Sequence, residues 1–258
     1  MQTIFLRLKY DGSHYRGWQR QNSSPTIQGV LEKALTKLLK QEITIDGSGR
    51  TDAGVHALDQ CVTFKAHLIM PVENLKFALN KILPIDIYVN EVQIVPNDFH
   101  ARYSAVGKTY AYKVYTDYER NPFLDRYHFH FPHKLDSESM KSAMAHFIGT
   151  YDYSTYMASG SSTKNTTRTI YRFDLDETDE SYVFTITGNG FLYNMVRIIV
   201  GTVLHVGVGK IAPDQILDII ESKDRNRAKF TPPGNGLYLK NVYYDAQTLN
   251  EFVSEMMK

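Results

Sequence analysis

The stretch GSGRTDAGVHA (Gly47–Ala57) joins two segments whose hydrophobic patterns predict strands, Glu42–Ile45 and Gln60–Ala66. It contains three glycines, one arginine and one carboxylate, that of Asp52. Glycine permits backbone conformations and close approaches that other residues resist, and loops held between rigid elements commonly carry binding and catalytic groups. The stretch therefore predicts a loop that presents Asp52.

Two interpretations of Asp52 stay open at this level. An aspartate in a loop often forms an Asx turn, in which its carboxylate accepts a nearby backbone N–H. The adjacent glycines, Arg50 and His56 favour a carboxylate presented to a ligand instead. No Gly-Lys-Ser/Thr follows, so the loop is not a P-loop. Chemistry at Asp52 would use one carboxylate as nucleophile or base, without a cofactor.

The sequence predicts no metal site. Asp52 and His56 are too few ligands by themselves. The tract HFHFPH (His128–His133) alternates histidine with phenylalanine, which suits the end of a strand as well as a metal-binding tract.

The segments around the loop predict an α+β fold, because strands and helices are mixed without strict βαβ alternation. Each half reads as a strand–helix–strand unit, which predicts domains at 1–104 and 105–258. The predicted helices begin at Ser24-Pro25, at Pro71, at about Asp136, at about Phe191 and at Asp214; the other predicted strands are Thr3–Tyr10, Ile87–Val95, Thr109–Tyr115, Thr169–Asp174, Tyr182–Thr187 and Leu237–Tyr244.

Composition is that of an ordinary globular chain of 258 residues, 43% hydrophobic and 22% charged. The formal net charge of +1 does not indicate a nucleic-acid binder, so such a role would need local basic patches. The N-terminus is unlike a signal peptide, and the apolar run Phe191–Gly209 is too short and too polar to span a bilayer. With the single cysteine, Cys61, these features predict a cytoplasmic protein that is not embedded in a membrane.

Arg197 lies among apolar residues of the predicted helix that follows Phe191. Its guanidinium could extend to the surface, or it could be partly buried and paired with a carboxylate. Pairing with Asp52 would hold that acid ionised by lowering its pKa.

Three basic segments contain aromatic or polar neighbours that suit RNA. The first contains Arg102 and Lys108 and the second Lys164 and Arg168, both without acidic residues; the third contains Lys223, Arg225, Arg227 and Lys229. A solvated basic face explains any one of them, but the three together favour RNA binding.

Taken in order, the motifs resemble one family closely, the tRNA pseudouridine synthase A (TruA) family. The resemblance extends over nearly the whole chain and rests on YDG (Tyr10–Gly12), YRGWQ (Tyr15–Gln19), TIQ (Thr26–Gln28), GRTDAGVHA (Gly49–Ala57), FHAR (Phe99–Arg102), KTYAY (Lys108–Tyr112), FLYNMVR (Phe191–Arg197) and GLYL (Gly236–Leu239).

This resemblance implies two fused ferredoxin-like (RRM-like) halves, with a continuous mixed/antiparallel sheet, helices on one side and a central cleft. It implies an isomerase that converts uridine to pseudouridine at positions 38–40 in the anticodon stem-loop of tRNA, acting as a homodimer without metal or organic cofactor.

The resemblance also implies roles for individual residues. Asp52 would attack C1′ or act through a glycal, and Arg50 would fill the space of the flipped base or hold a phosphate. Tyr110 would stack on the uracil, Leu237 would line its pocket, and Arg197 would pair with Asp52. The alternative function is a non-catalytic RNA-binding protein or chaperone on the same fold.

Overall fold

The computed structural model describes residues 1–22, 24–161, 163–178 and 181–254. Within these residues the chain forms ten strands and six α-helices, which confirms the α+β class. It divides into two compact units. Unit 1 comprises Met1–Val106 and Tyr238–Ala246, and unit 2 comprises Gly107–Leu237 and Gln247–Lys258.

Unit 1 has the βαββαβ order of a ferredoxin-like half. Its elements are β1 (Gln2–Tyr10), α1 (Ile27–Leu39), β2 (Asp46–Gly47), β3 (His56–Ala66), α2 (Val72–Ile82) and β4 (Ile87–Val95). The β1 strand pairs antiparallel with both β4 and β3, and β2 pairs with β3. A late strand, β10 (Leu237–Tyr243), runs parallel to β3.

That late strand changes the domain boundary inferred from the sequence. The break near residue 104 lies close to the observed one after Val106. However, Tyr238–Ala246 belongs to unit 1, because Tyr238 and Leu239 pair with His56 and Ala57 of β3. Hydropathy predicts a strand there, but it does not indicate which strand becomes its neighbour.

Unit 2 contains β5 (Gly107–Tyr115), β6 (Phe129–His130), α3 (Ser137–Ala145), β7 (Gly149–Asp152), β8 (Thr167–Glu177), β9 (Tyr182–Gly188), α4 (Met195–Gly207) and α5 (Gln215–Glu221). Its sheet order is β5-β9-β8-β7, with antiparallel pairing throughout and β6 parallel to β5. A last helix, α6 (Ala246–Ser254), was not predicted from the sequence.

The core of unit 1 follows the predicted alternation. Ile4, Leu6 and Leu8 of β1 are fully buried. The opposite face of this strand is covered as well, since the Phe5 ring meets the rings of Phe99 and Tyr244 edge-on, each at 5.5 Å. Strands buried on both faces of a sheet contribute more apolar area to the core than half-exposed ones.

The strand predicted at Glu42–Ile45 does not form. Ile43 and Ile45 are buried as the alternation requires, but their backbone bonds go to side chains of α1. The Ile43 N–H donates to Thr36 Oγ1 at 3.2 Å, and the Ile45 N–H donates to Glu32 Oε1 at 3.1 Å. Side-chain acceptors thus take the place of a neighbouring strand.

Two predicted helix starts also shift. The first helix begins at Ile27, where Thr26, not Ser24 or Pro25, is the N-cap and accepts the Gly29 N–H. The helix expected from about Phe191 begins at Met195, because Asn194 has a φ of 59°, in the left-handed region that a right-handed helix cannot include. Within the described ranges, none of the helices combines the length and hydrophobicity that a bilayer span requires.

Candidate active site

The Asp52 loop (Ser48–Val55) connects β2 to β3 and is tightly held despite its glycines. The Ser48 N–H donates to the Cys61 carbonyl at 2.7 Å, and the Ser48 hydroxyl donates to Gln60 Oε1 at 2.6 Å. The Gln60 amide in turn donates to the Gly49 carbonyl at 2.9 Å. The partners of Ser48 and Gly49, Gln60 and Cys61, are adjacent residues of β3, so this strand fixes the start of the loop.

A second segment, the cradle segment (Asp11–Trp18), holds the middle of the Asp52 loop. The Trp18 N–H donates to the Thr51 carbonyl at 2.9 Å, and the Gly54 N–H donates to the Tyr15 carbonyl at 3.4 Å. Gly17 has a φ of 87°, and a Cβ there would lie 2.5 Å from the Thr51 carbonyl oxygen. Only glycine meets both requirements at this position.

Three consecutive residues of the loop have different environments. Arg50 is exposed, Thr51 is buried, and Asp52 is half-buried. The Thr51 hydroxyl shares a hydrogen bond of 2.8 Å with the Tyr10 hydroxyl inside unit 1. This anchor turns Thr51 into the protein, while its neighbour Arg50 lies on the surface.

Backbone hydrogen bonds hold the turn that begins at Asp52. An Asx turn would direct the N–H two residues later, that of Gly54, to the aspartate side chain. That N–H donates to the Tyr15 carbonyl, and the Val55 N–H donates to the backbone carbonyl of Asp52 at 3.2 Å. Backbone bonds therefore hold the turn.

His56 begins β3 and is buried at the end of the Asp52 loop. Its Nδ1 accepts the Gly12 N–H at 3.1 Å and lies 3.1 Å from Asp11 Oδ1. The imidazole stacks on the Tyr238 ring with centroids 4.7 Å apart and planes inclined by 23°. From the sequence, His56 is considered only as a neighbour of Asp52 and as one of too few metal ligands; its contacts with Asp11 and Gly12 of the YDG motif form only in the folded chain.

In unit 2, Arg197 lies in the first turn of α4 and is half-buried. Its Nε donates to the Pro232 carbonyl and its Nη1 donates to Asn194 Oδ1, both at 2.7 Å. The side chain is therefore held in place by acceptors within unit 2 and does not simply extend into solvent. The left-handed Asn194 that delays the helix also supplies one of these acceptors.

Tyr110 and Leu237 are both buried in unit 2. The Tyr110 ring lies edge-on to Phe191, with centroids 5.2 Å apart. Leu237 follows the turn Gly234–Gly236, which is tightly packed, since a Cβ on Gly236 would lie 2.7 Å from the Lys113 carbonyl oxygen.

Tyr112 supports this turn, a role that sequence reasoning missed. Its hydroxyl donates to the Pro233 carbonyl at 2.6 Å, and burial raises the pKa of the phenol far above its usual range. Tyr112 therefore keeps its proton and its bond at all ordinary pH values. The alternation of Tyr110 and Tyr112 along β5 was the available signal, but only the folded chain brings Pro233 to it.

The predicted RNA-contacting residues differ in their solvent exposure. Arg102 and Lys164 are exposed, and Lys108 and Arg168 are half-buried. Arg168 donates to the carbonyls of Asn165 and Thr167 at 2.9 and 2.6 Å, so it also shapes its own loop.

The HFHFPH tract forms β6 and its flanks. The His130 ring stacks on Tyr115 with centroids 4.6 Å apart, and its Nε2 lies 2.8 Å from the Asp117 carbonyl oxygen. Across the part of the chain that the structure describes, no group of three or more His, Cys, Asp and Glu side chains is arranged to hold a metal ion.

Comparison with known proteins places these features in one family. The family model described as tRNA pseudouridine synthase matches residues 8–104 and 143–245. The tRNA pseudouridine synthase A of Acetivibrio thermocellus is 46% identical over 244 residues, which cover 95% of this chain and 100% of that protein. The Caldicellulosiruptor saccharolyticus protein of the same name is 47% identical over 244 residues, with the same coverage. The Bacillus subtilis one is 46% identical over 246 residues, covering 93% of this chain and 100% of that protein. These matches confirm the resemblance inferred from the motifs, and the chain belongs to the tRNA pseudouridine synthase family.

Proposed function

We propose that this chain isomerises uridine to pseudouridine at positions 38–40 in the anticodon stem-loop of tRNA, with Asp52 as its single catalytic carboxylate. The observation that carries this proposal is the Asp52 loop. Bonds from β3 and from the cradle segment hold its backbone, while the half-buried Asp52 follows the exposed Arg50 two residues later. Rigid presentation of a reacting group lowers the entropic cost of reaching the transition state.

The reaction is an isomerisation and needs no co-reactant. The N1–C1′ bond breaks, the uracil turns over, C5 bonds to C1′, and the proton lost from C5 is balanced by one gained at N1. No electrons or groups enter or leave. Asp52 either attacks C1′ or acts through a glycal, and both routes need one ionised carboxylate next to the sugar.

Neighbouring residues take supporting roles in this proposal. The target nucleotide leaves the helical stack to reach the loop, and Arg50 fills the vacated space or holds a phosphate. Tyr110 stacks on the uracil and Leu237 lines its pocket. Arg197 pairs with Asp52 and keeps the carboxylate ionised. Arg102, Lys108, Lys164 and Arg168 bind the RNA backbone.

The Asp52→Asn variant tests the central claim. It should bind tRNA as the wild type does but form no pseudouridine, measured by mass spectrometry of the digested tRNA. Asp46→Asn, which changes an exposed acid just before the same loop, is the matched control and should retain activity. Turnover by the Asp52 variant would refute its role. Annealing of RNA by a wild type that forms no pseudouridine would favour the chaperone alternative.

Arg197→Met tests the pairing separately. Loss of the cation should lower kcat and move the acidic limb of the pH–rate profile to higher pH, because the carboxylate would ionise less readily. A variant with lower kcat and an unchanged acidic limb would contradict the pairing.

The remaining parts of the proposal are a homodimer and a cytoplasmic location. Sedimentation equilibrium over a range of concentrations tests the dimer, and a single species of 29.6 kDa at every concentration would exclude it. Fractionation of cells that produce the chain tests the compartment.

A further inference from the structure

We propose that His56 is a positioning residue for Asp52: its Nδ1 accepts the Gly12 N–H and thereby locks the cradle segment against the Asp52 loop. This inference rests on the proposed role of Asp52 and extends it to a residue whose own ring need not touch the substrate.

The contact joins the two segments at their tightest point. A Cβ on Gly12 would lie 2.0 Å from the Val55 carbonyl oxygen, so the Gly12 backbone packs directly on the end of the loop. The Gly12 N–H then meets His56 Nδ1 at 3.1 Å. Both Gly12 and His56 are buried, so water is a poor substitute for either partner.

The bond also defines the protonation of the ring. The proposal requires an unprotonated Nδ1, because a backbone N–H can donate only to a ring nitrogen that carries its lone pair; the proton of a neutral imidazole is then on Nε2. Asp11 Oδ1 also lies 3.1 Å from Nδ1 and would accept from that nitrogen if it were protonated, so the proposal and this ion pair exclude each other. The same Asp11 oxygen accepts the N–H and the hydroxyl of Ser13, at 2.9 and 2.5 Å.

Loss of the His56 contact would be transmitted to Asp52 through two backbone contacts. The Gly12 backbone packs on Val55, and the Val55 N–H donates to the Asp52 carbonyl. If Gly12 lost its acceptor, the cradle segment would move off the loop end, and the turn that begins at Asp52 would relax. Displacements of about 1 Å at a reacting group can cost about 100-fold in rate.

Two substitutions separate the hydrogen bond from the ring. In His56→Asn, Oδ1 takes the place of Nδ1 and can accept the Gly12 N–H, but the stack on Tyr238 is lost. In His56→Phe, the ring and its stack are kept, but no acceptor remains. The proposal predicts that the Asn variant stays within about 3-fold of the wild-type kcat, while the Phe variant loses about 10- to 100-fold with little change in KM.

Each result has a defined meaning. Wild-type kcat in the Phe variant, or an equal loss of kcat in both variants, would overturn the proposal. Binding of tRNA and the thermal midpoint of each variant are measured in parallel, so a variant that fails to fold is recognised. Nitrogen-15 NMR of the wild-type histidines then decides the question without any variant, since protonated Nδ1 in His56 would also overturn it.

The two proposals fail in different ways. A wild type without pseudouridine formation, or an active Asp52→Asn variant, refutes the proposed function. An active wild type with an inactive Asp52→Asn variant, and His56 variants that behave alike, refutes only the role of His56.

Discussion

Single residues in the cradle segment are constrained by the loop that they hold. Gly17 has a left-handed backbone, and a Cβ added to it would lie 2.5 Å from the carbonyl oxygen of Thr51. At Gly12 an added Cβ would lie only 2.0 Å from the carbonyl oxygen of Val55, so no side chain fits there. The sequence indicates that these glycines lie in turns. It does not distinguish a glycine that is needed for its positive φ from one that is needed because a side chain would clash with a neighbour. The structure separates these two reasons.

Gly17→Ala should lower the free energy of unfolding by about 2–4 kcal/mol, because the strained φ and the contact with Thr51 add. Gly160→Ala is the matched control. Gly160 has a similar φ of 85°, but nothing lies within 4 Å of the added Cβ. Its cost should be about 1–2 kcal/mol, from backbone strain alone. Chemical denaturation measures both, and equal losses would show that the contact with Thr51 is not tight.

Asp152 gives unit 2 a pH-dependent contribution to stability. A hydrogen bond from Thr166, with smaller help from Lys223 and Ser154, lowers the pKa of this carboxyl from 3.8 to about 2. Because the folded-state pKa is the lower one, the contribution is present above about pH 4 and is lost as the pH falls towards 2.

Asp152→Asn should therefore be less stable than the wild type at pH 7, with the difference shrinking between pH 4 and pH 2. Urea denaturation across this range measures it. Thr166→Val should move the same loss to higher pH, since it removes the largest cause of the shift. A difference that is constant from pH 7 to pH 2 would contradict the assignment.

At the scale of elements, a charged cluster fastens β10 to unit 1. Asp59 Oδ2 accepts from Arg7 Nη1 at 2.6 Å and from the Val242 N–H at 2.9 Å, so one carboxylate oxygen ties together β1, β3 and β10. Strand pairing between β3 and β10 covers only two residue pairs. The cluster therefore adds a side-chain attachment of β10 to β1 and β3.

Asp59→Ala should cost about 2–4 kcal/mol of stability, because it leaves the half-buried Arg7 and the Val242 N–H without this acceptor. Hydrogen exchange should reveal the loss as faster exchange at the Val242 amide. Glu91→Ala removes a weaker and more exposed partner of Arg7, 3.4 Å away, and should cost about 0–1 kcal/mol. Similar losses in the two variants would mean that Asp59 does not fasten the strand.

The sequence predicts several elements correctly and misses others for identifiable reasons. The strand at Ile87–Val95 has the predicted bounds. At 42–45 the alternation correctly predicted burial but not a strand, since Thr36 and Glu32 of α1 supply the hydrogen-bond acceptors. At Leu192–Asn194 the apolar pattern continues, but the left-handed Asn194 delays the helix. Each error arose from side-chain or backbone chemistry that periodicity does not record.

For the whole molecule, a net charge of +1 means that any attraction to RNA comes from local basic segments. Each contact to a phosphate releases a condensed counterion, so it steepens the fall of affinity with salt. Replacing Arg102, Lys108 or Lys164 by Gln should each reduce the slope of log affinity against log salt concentration by about 1. Lys141→Gln, in α3 and paired with Glu138, is the control.

Filter binding of tRNA at several salt concentrations measures these slopes. Unchanged slopes for all three variants would place the phosphate contacts elsewhere on the chain. Arg168 gives a less clear test, because it also donates to two carbonyls of its own loop and its removal would disturb them.

The sequence alone determined the α+β class, most strands and helices, and the family, because these depend on local patterning and on motifs in a fixed order. Tertiary structure decided which residues support the Asp52 loop. Tyr10, Tyr15 and Trp18 each contact it through one hydrogen bond, Gln60 contacts it through two, and the Gly12 backbone packs on Val55. It also brought a strand from near the C-terminus to β3. Such contacts join residues distant in sequence, and their geometry depends on backbone positions that exist only after the core has packed.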